Sequence, residues 1–279
     1  MILGWGSLPF AQVTIEDDRT EAVDTATAGD DGGPSDVTIT SDGSVVVEDA
    51  GPAVTLNSNN DLTNEGEIRI SDVDDATAVS LEGGADRNFS NNGTITLNED
   101  FPAEDTNGDN VADGPRAQGS GRTGILISGA SPFEGNVSLE AGSIINVEGN
   151  ESYGVNVTDN TMTAALEGNL SNEGRISLIG DNGAGVNVAG DVTGNITNTG
   201  SVSALGEGSN AYNISGDVQG GFVNSGTLGS NGFRLTSRPG FQGTGTGRED
   251  LTAENLQDAG SSISISGNIT GGVHFDLVQ

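Results

Sequence analysis

Residues 104–114 read EDTNGDNVADG, and their oxygen-bearing side chains recur at every second position. Asp105, Asn107 and Asp109 occupy positions 1, 3 and 5 of a calcium loop, Val111 offers its backbone carbonyl at position 7, and Asp113 stands at position 9. Hard divalent cations take oxygen ligands in that order. The glycine usual at position 6 is replaced by Asn110, a residue that tolerates the left-handed turn. The bidentate Glu of position 12 is missing, and Arg116 stands there. The spacing predicts a weak Ca2+ site of the extracellular class, with a dissociation constant on the order of 10⁻⁴–10⁻³ M. The plainer reading is a solvated acidic loop.

Other chemistries find few residues to work with. His274, in GVHF at 272–275, is the only histidine, and it reads as a strand residue pointing outward. There is no lysine to serve as a base and no cysteine to serve as nucleophile, thiolate ligand or disulfide partner. The Asp pairs at 17–18, 30–31 and 74–75 fall in turns with no phased partner. No Gly-x-Ser-x-Gly element accompanies the histidine. A catalytic acid–base constellation is therefore not expected, and a polysaccharide-cleaving enzyme ranks third among the functional readings.

Charge narrows the partners further. The 279 residues carry 41 acids against nine basic residues, a net charge of −32. Residues 1–113 alone hold 25 acids against three arginines, a net −22. Such a surface repels nucleic acid and anionic membranes and resists aggregation. Scattered arginines and few aromatics also argue against nucleic-acid binding. No apolar run approaches the length of about 18 residues that a membrane helix needs. Gly-Gly-x-Gly-x-Asp nonapeptides are missing, and the Thr-Ile-Thr triplets at 38–40 and 94–96 do not recur coil after coil, so neither a toxin-type calcium roll nor an ice-binding face is expected.

The elements that must position any site are written as a repeat. LTNEGEIRI at 62–70 returns as FSNNGTITL at 89–97, LSNEGRISL at 170–178, ITNTGSVSA at 196–204 and FVNSGTLGS at 222–230. The glycines fall at 66, 93, 174, 200 and 226, with Gly142 of the variant LEAGSIINV between them. A second mark precedes each: AVTL 53–56, AVSL 78–81, GILI 124–127, GVNV 154–157 and 185–188, AYNI 211–214, then GFRL 232–235 and GVHF 272–275. A period in the twenties with short alternating strands is the signature of a solenoid. About 26 residues hold three strands and three turns, one coil of a right-handed parallel β-helix, and the chain allows eight to nine irregular coils.

In this reading the repeated Gly supplies a positive-φ turn position. Asn64, Asn91, Asn172, Asn198 and Asn224 stack into an internal amide ladder. The alternation puts residues 176, 178, 186, 188, 196 and 202 inside and Ser177, Asn187 and Thr197 outside. Coils begin near residue 36, run to 279, and are interrupted by insertions at 98–120, 158–167 and 236–259. Within the last, EDLTAENLQ suits one or two helical turns. Residues 12–35 read as an acidic mobile lead or cap. Residues 1–11, an apolar stretch ending at Ala11, read as the tail of a secretory signal.

With the signal-like start, the acidic lead, the Asn-x-Gly-x-Ile/Val turns and the closing SGNITGGVHFD, the chain resembles the passenger region of bacterial autotransporters over roughly residues 37–275. The resemblance implies export to the Gram-negative cell surface, carried by a C-terminal β-barrel beyond this chain. No barrel strands precede Gln279. The expected function is an adhesin-like structural passenger without catalytic activity that meets a host or neighbouring cell surface. The alternative is a calcium-dependent surface-layer or matrix protein that associates with copies of itself.

Overall fold

A computed structural model of the chain describes residues 12–84, 86–106, 112–158, 164–232 and 257–276. Among them there is no helix, and every regular element is a short strand. Each coil visits three parallel sheets in turn, with nine rungs in the first and eight in each of the others. The first sheet runs from Gln12–Ile15 to Val273–Phe275, the second from Asp18–Arg19 to Thr227–Asn231, and the third from Val23–Asp24 to Ile263–Ile265. The chain is a parallel β-helix, as the repeat predicts.

Alternation makes this possible. Ile176, Leu178, Val186, Val188, Ile196 and Val202 are all buried, in one apolar core continuous along the axis. Burying each such side chain contributes about 1.5–3 kcal/mol, and no coil can do so without the coils above and below it. Asn187 and Thr197 stand on the outer face and remain half-exposed. Ser177 also alternates outward, yet keeps only 8% of its surface. Asn146 and Ser203 stack directly on either side of it, and a short side chain packed between two such neighbours is shaded by them.

Three expectations need correcting. Among the described residues the solenoid is already formed from Gln12 onward, ahead of the expected start near residue 36, because Gln12–Ile15, Asp18–Arg19 and Val23–Asp24 are rungs of the three sheets. The acidic lead thus contains a coil, with Glu16, Asp17 and Glu21 at its corners and Asp18 and Asp24 within its strands. GVHF does not continue the series of GVNV, which lies in the third sheet; Val273–Phe275 pairs with Phe222–Asn224 in the first. The last rung of the third sheet is instead Ile263–Ile265, pairing with Tyr212–Ile214. The repeated glycines are the third correction. Gly66, Gly93, Gly174, Gly200 and Gly226 do not have positive φ, whereas Gly142 does, at 99°.

Two of the three insertions share a corner. Residues 98–120 and 236–259 both leave the corner between the second and third sheets, after Thr94–Asn98 and Thr227–Asn231 respectively. The half-buried Arg116 in the first of them donates through Nη2 to the carbonyl of Gly232 at 3.1 Å, where the second departs. Residues 233–256, with GFRL after its glycine and most of EDLTAENLQ, lie outside the described residues, as does the presumed signal 1–11.

Candidate functional site

The corner after each first-sheet strand shows what the repeated phrase is for. In five coils the inward Asn is separated from the next strand by two residues only, as in Asn198-Thr199-Gly200-Ser201. In two of these tight corners the Asn side chain supplies a turn bond: Asn64 Oδ1 accepts the Gly66 N–H at 3.2 Å, and Asn172 Oδ1 accepts that of Gly174 at 3.2 Å. Its Nδ2 then donates to the Asn one coil on: Asn64 to Asn91 at 2.7 Å, Asn172 to Asn198 at 2.7 Å and Asn198 to Asn224 at 2.6 Å. The terminal amides close on their own corners, Asn91 on the Gly93 carbonyl at 3.3 Å and Asn224 on that of Gly226 at 3.2 Å. All five expected ladder residues are thereby used. Leu139 occupies the rung between Asn91 and Asn172 and divides the ladder in two.

The outer edge of the same sheet carries a second file. Asp36 Oδ1 accepts the Asp61 N–H, Asp61 Oδ1 that of Asn88, and so on through Asn136, Asn169 and Asn195 to the Gly221 N–H, at 2.7–3.1 Å. Similar bonds run from Asn150 to Asp181 to Glu207 and from Asp191 to Asp217 to Asn268. Part of the acidic composition is thus hydrogen-bonding scaffold between coils. The Asp pairs are phased after all in two cases: Asp18 Oδ1 accepts from Ser44 Oγ at 2.8 Å, and Asp74 Oδ1 accepts the Ser120 N–H at 2.9 Å.

Between the two Asx files stands a column that sequence reading missed. Parallel register places Thr14, Thr38, Thr63, Ser90, Ser138, Ser171 and Thr197 one above another on the outside of seven successive rungs. Val223 and His274 end it. His274 does point outward, 66% exposed and 2.7 Å from Asp276 Oδ1. The signal was present as Asn-Phe-Ser, Asn-Val-Ser, Asn-Leu-Ser and Asn-Ile-Thr ahead of the corners, but uneven spacing and the mixing of Ser with Thr hid it. The triplet is also that of a glycosylation acceptor; here Asn136, Asn169 and Asn195 each turn the amide nitrogen toward the Asx below, at 2.9–3.4 Å.

The calcium loop is described only at its neck. Asn107, Asp109 and Val111 lie outside the described residues. Asp113 Oδ2 accepts from both the N–H and the Oγ1 of Thr106 at 2.7 Å, and its own N–H donates to the Glu104 carbonyl at 2.8 Å. Asp105 is exposed. Carboxylates at both ends of the loop fit a hard cation chemically, although one Asp113 oxygen is already engaged. Among the described residues, no group of three or more His, Asp or Glu is placed to hold a metal.

Two buried arginines mark the feet of the loops. Arg122, with its side chain 3% exposed, reaches Glu99 Oε2 at 3.0 Å and Asp74 Oδ1 at 3.4 Å. It also donates to the carbonyls of Val73 at 2.8 Å and Glu148 at 2.7 Å. Glu99 in turn accepts the N–H groups of Gln118 and Gly119 at 2.6 and 2.7 Å. Both ends of the 98–120 insertion are tied to one guanidinium, a clamp of one cation against two carboxylates. Arg87 donates to the Ser58 carbonyl at 3.0 Å and lies 5.1 Å from the Phe133 ring centre. Burial lowers its pKa, against the opposing pull of Glu82 and Glu134. Burial likewise pushes the Tyr212 hydroxyl well above the ordinary tyrosine range.

No family model, no curated protein and no solved structure matches the chain.

Proposed function

We propose that the chain is the passenger of an exported bacterial surface protein, a non-catalytic solenoid displayed outside a Gram-negative cell and used for adhesion. The observation that carries this reading is the outer face of the first sheet, which presents an unbroken hydroxyl column over seven rungs. The resemblance of its turns to autotransporter passengers supports export through a β-barrel encoded by the same polypeptide. Display of residues 12–279 on a non-adherent bacterium, or on beads, should increase attachment to host or neighbouring cells. Attachment no better than that of bare beads defeats the reading.

A second reading is favoured by the far end of the solenoid. Ile265, Val273 and Phe275 are 38%, 45% and 51% exposed, although they extend the columns of the buried Ile214, Phe222 and Asn224. Exposed apolar side chains of this kind suit packing against a copy of the chain, and calcium at the 105–113 loop would lessen the repulsion between two such acidic chains. Sedimentation with and without millimolar Ca2+ separates the two: calcium-driven growth supports assembly, and an adhesive monomer supports the adhesin.

A further inference from the structure

The hydroxyl column has a defined chemical surround. On one side lie the Asp and Asn side chains from Asp36 to Asn195, whose backbone-capping bonds hold them in file. On the other, the corner residues Glu65, Asn92, Glu140 and Glu173 are exposed, their backbone N–H groups bonded one coil below. Apart from Thr38, whose Oγ1 accepts from Gln12 Nε2 at 3.1 Å, the hydroxyls are only lightly engaged: Ser171 meets Ser138 at 3.4 Å and Ser90 meets Glu140 at 3.5 Å. Each hydroxyl offers one donor and two acceptor sites, and rungs repeat every 4.7–4.9 Å or so. A ligand satisfying this face is linear, rich in hydroxyls, periodic on the same length scale, and neutral or cationic.

Resting on the adhesin reading, we infer that this face binds a β-linked amino-sugar polysaccharide lying along the solenoid axis. An extended chain of pyranose rings advances per sugar by close to the spacing between rungs, so successive rings meet successive hydroxyls. Because successive β-1,4-linked rings are turned by about half a revolution, the amines alternate, falling toward Glu65, Glu140 and Glu173 on one side and toward the Asp36–Asn195 file on the other. The carboxylates reject a polyuronate by like charge. Aromatic stacking is not needed, because affinity accumulates over repeated weak polar contacts, as in any multivalent array.

The test is calorimetric titration at physiological ionic strength, where distant surface charge is screened. The probes are a hexasaccharide of β-1,4-linked glucosamine, its disaccharide, and a galacturonate hexasaccharide. The hexasaccharide of glucosamine should bind, the disaccharide far more weakly and the galacturonate not at all. Combining Ser90→Val, Ser138→Val and Ser171→Val keeps strand-compatible residues outside the core, and should lower hexasaccharide affinity about tenfold or more with little change in Tm. Ser203→Val, on the second sheet, should change nothing. Should the triple variant melt early, Glu140→Gln with Glu173→Gln gives the same reading. Equal binding by wild type and variants, or by di- and hexasaccharide, would show attraction to bulk charge and overturn the inference. Cell attachment that survives the triple variant sinks this ligand and spares the adhesin, whereas no attachment by wild type sinks the adhesin.

Discussion

The corner at Asn198–Ser201 and the corner at Leu139–Ile144 connect the same two sheets and differ in every particular. The first has two residues between its strands, an inward Asn and a glycine without positive φ. The second has four, an inward Leu and a glycine at φ 99°. In the longer corner the backbone closes its own turn, Ser143 N–H to the Glu140 carbonyl at 2.9 Å. The corner at Ile39–Ser44 does the same, Gly43 N–H to the Thr40 carbonyl at 2.9 Å, and likewise turns an aliphatic residue inward. Five short corners have an Asn instead: at Asn64 and Asn172 its Oδ1 accepts the corner glycine N–H, at Asn91 and Asn224 its Nδ2 donates to the glycine carbonyl, and at Asn198 it bonds the Asn residues of the coils on either side. The first, from Ile15 to Asp18, is short and has none, at the end of the stack.

The glycines differ for a related reason. A Cβ on Gly200 would stand 2.0 Å from the Gly174 carbonyl oxygen, and one on Gly226 2.1 Å from that of Gly200. Successive short corners rest backbone on backbone. A Cβ on Gly142 would meet nothing within 4 Å, so there the cost of a side chain is conformational alone. Gly200→Ala should therefore be the most damaging single change in this comparison, beyond the roughly 1–3 kcal/mol of ordinary overpacking, since the atom in the way is main chain. Gly142→Ala should cost about 1–2 kcal/mol for the left-handed conformation. Thermal melts showing Gly142→Ala to be the worse of the two would reverse the assignment.

Asn198→Ala comes next. It strands the Asn172 amide and the Asn224 carbonyl, both otherwise bonded to Asn198, at roughly 1–3 kcal/mol for each unpaired buried group. Asn195, three residues away and exposed, gives a fair comparator: Asn195→Ala removes the bond to the Gly221 N–H and a long one to Asn169 Oδ1 at 3.4 Å, both at the outer edge, and should cost about 1 kcal/mol. Asn182 is a poorer one, since its φ of 58° adds a conformational penalty. A sharper version replaces Asn172, Asn198 and Asn224 together by Leu. Removing all partners at once should be milder than Asn198→Leu alone. Equal melting temperatures for Asn198→Ala and Asn195→Ala would mean that the inner ladder carries no special weight.

What was legible in the sequence follows from these corners. The Asn-x-Gly phrase announced a stack, and alternation at 176–178 and 186–188 announced its inner face, because both are local and periodic. The role of Gly200 was not legible, since nothing within its own coil reveals that a carbonyl from 26 residues earlier presses on it. The same holds for Arg122, whose partners Asp74 and Glu148 come from the coils on either side and Glu99 from the far end of the insertion. The hydroxyl column is the clearest case. Ser90 and Ser138 are 48 residues apart because the 98–120 insertion intervenes, yet they are adjacent in register. Contacts set by register across unequal insertions cannot be read from spacing.

The smallest expected effect sits where the ladder breaks. Leu139 fills the rung between Asn91 and Asn172, buried to 1%. Leu139→Asn loses about 1.5–3 kcal/mol of apolar burial. Against that, the new Oδ1 can accept from Asn91 Nδ2, now held only by a 3.3 Å bond to the Gly93 carbonyl, and the new Nδ2 can donate to Asn172. Two buried bonds return about 0.5–1.5 kcal/mol each, so the net change should stay within about 1 kcal/mol of zero. The result discriminates between two accounts of the break. If corner length alone dictates the inward residue, the longer corner holds residue 139 off the ladder axis and the Asn goes unpaired, costing several kcal/mol in all. A near-neutral melt, with Leu139→Ala clearly worse through its cavity, would show that the two ladders share one axis and that Leu139 only interrupts it.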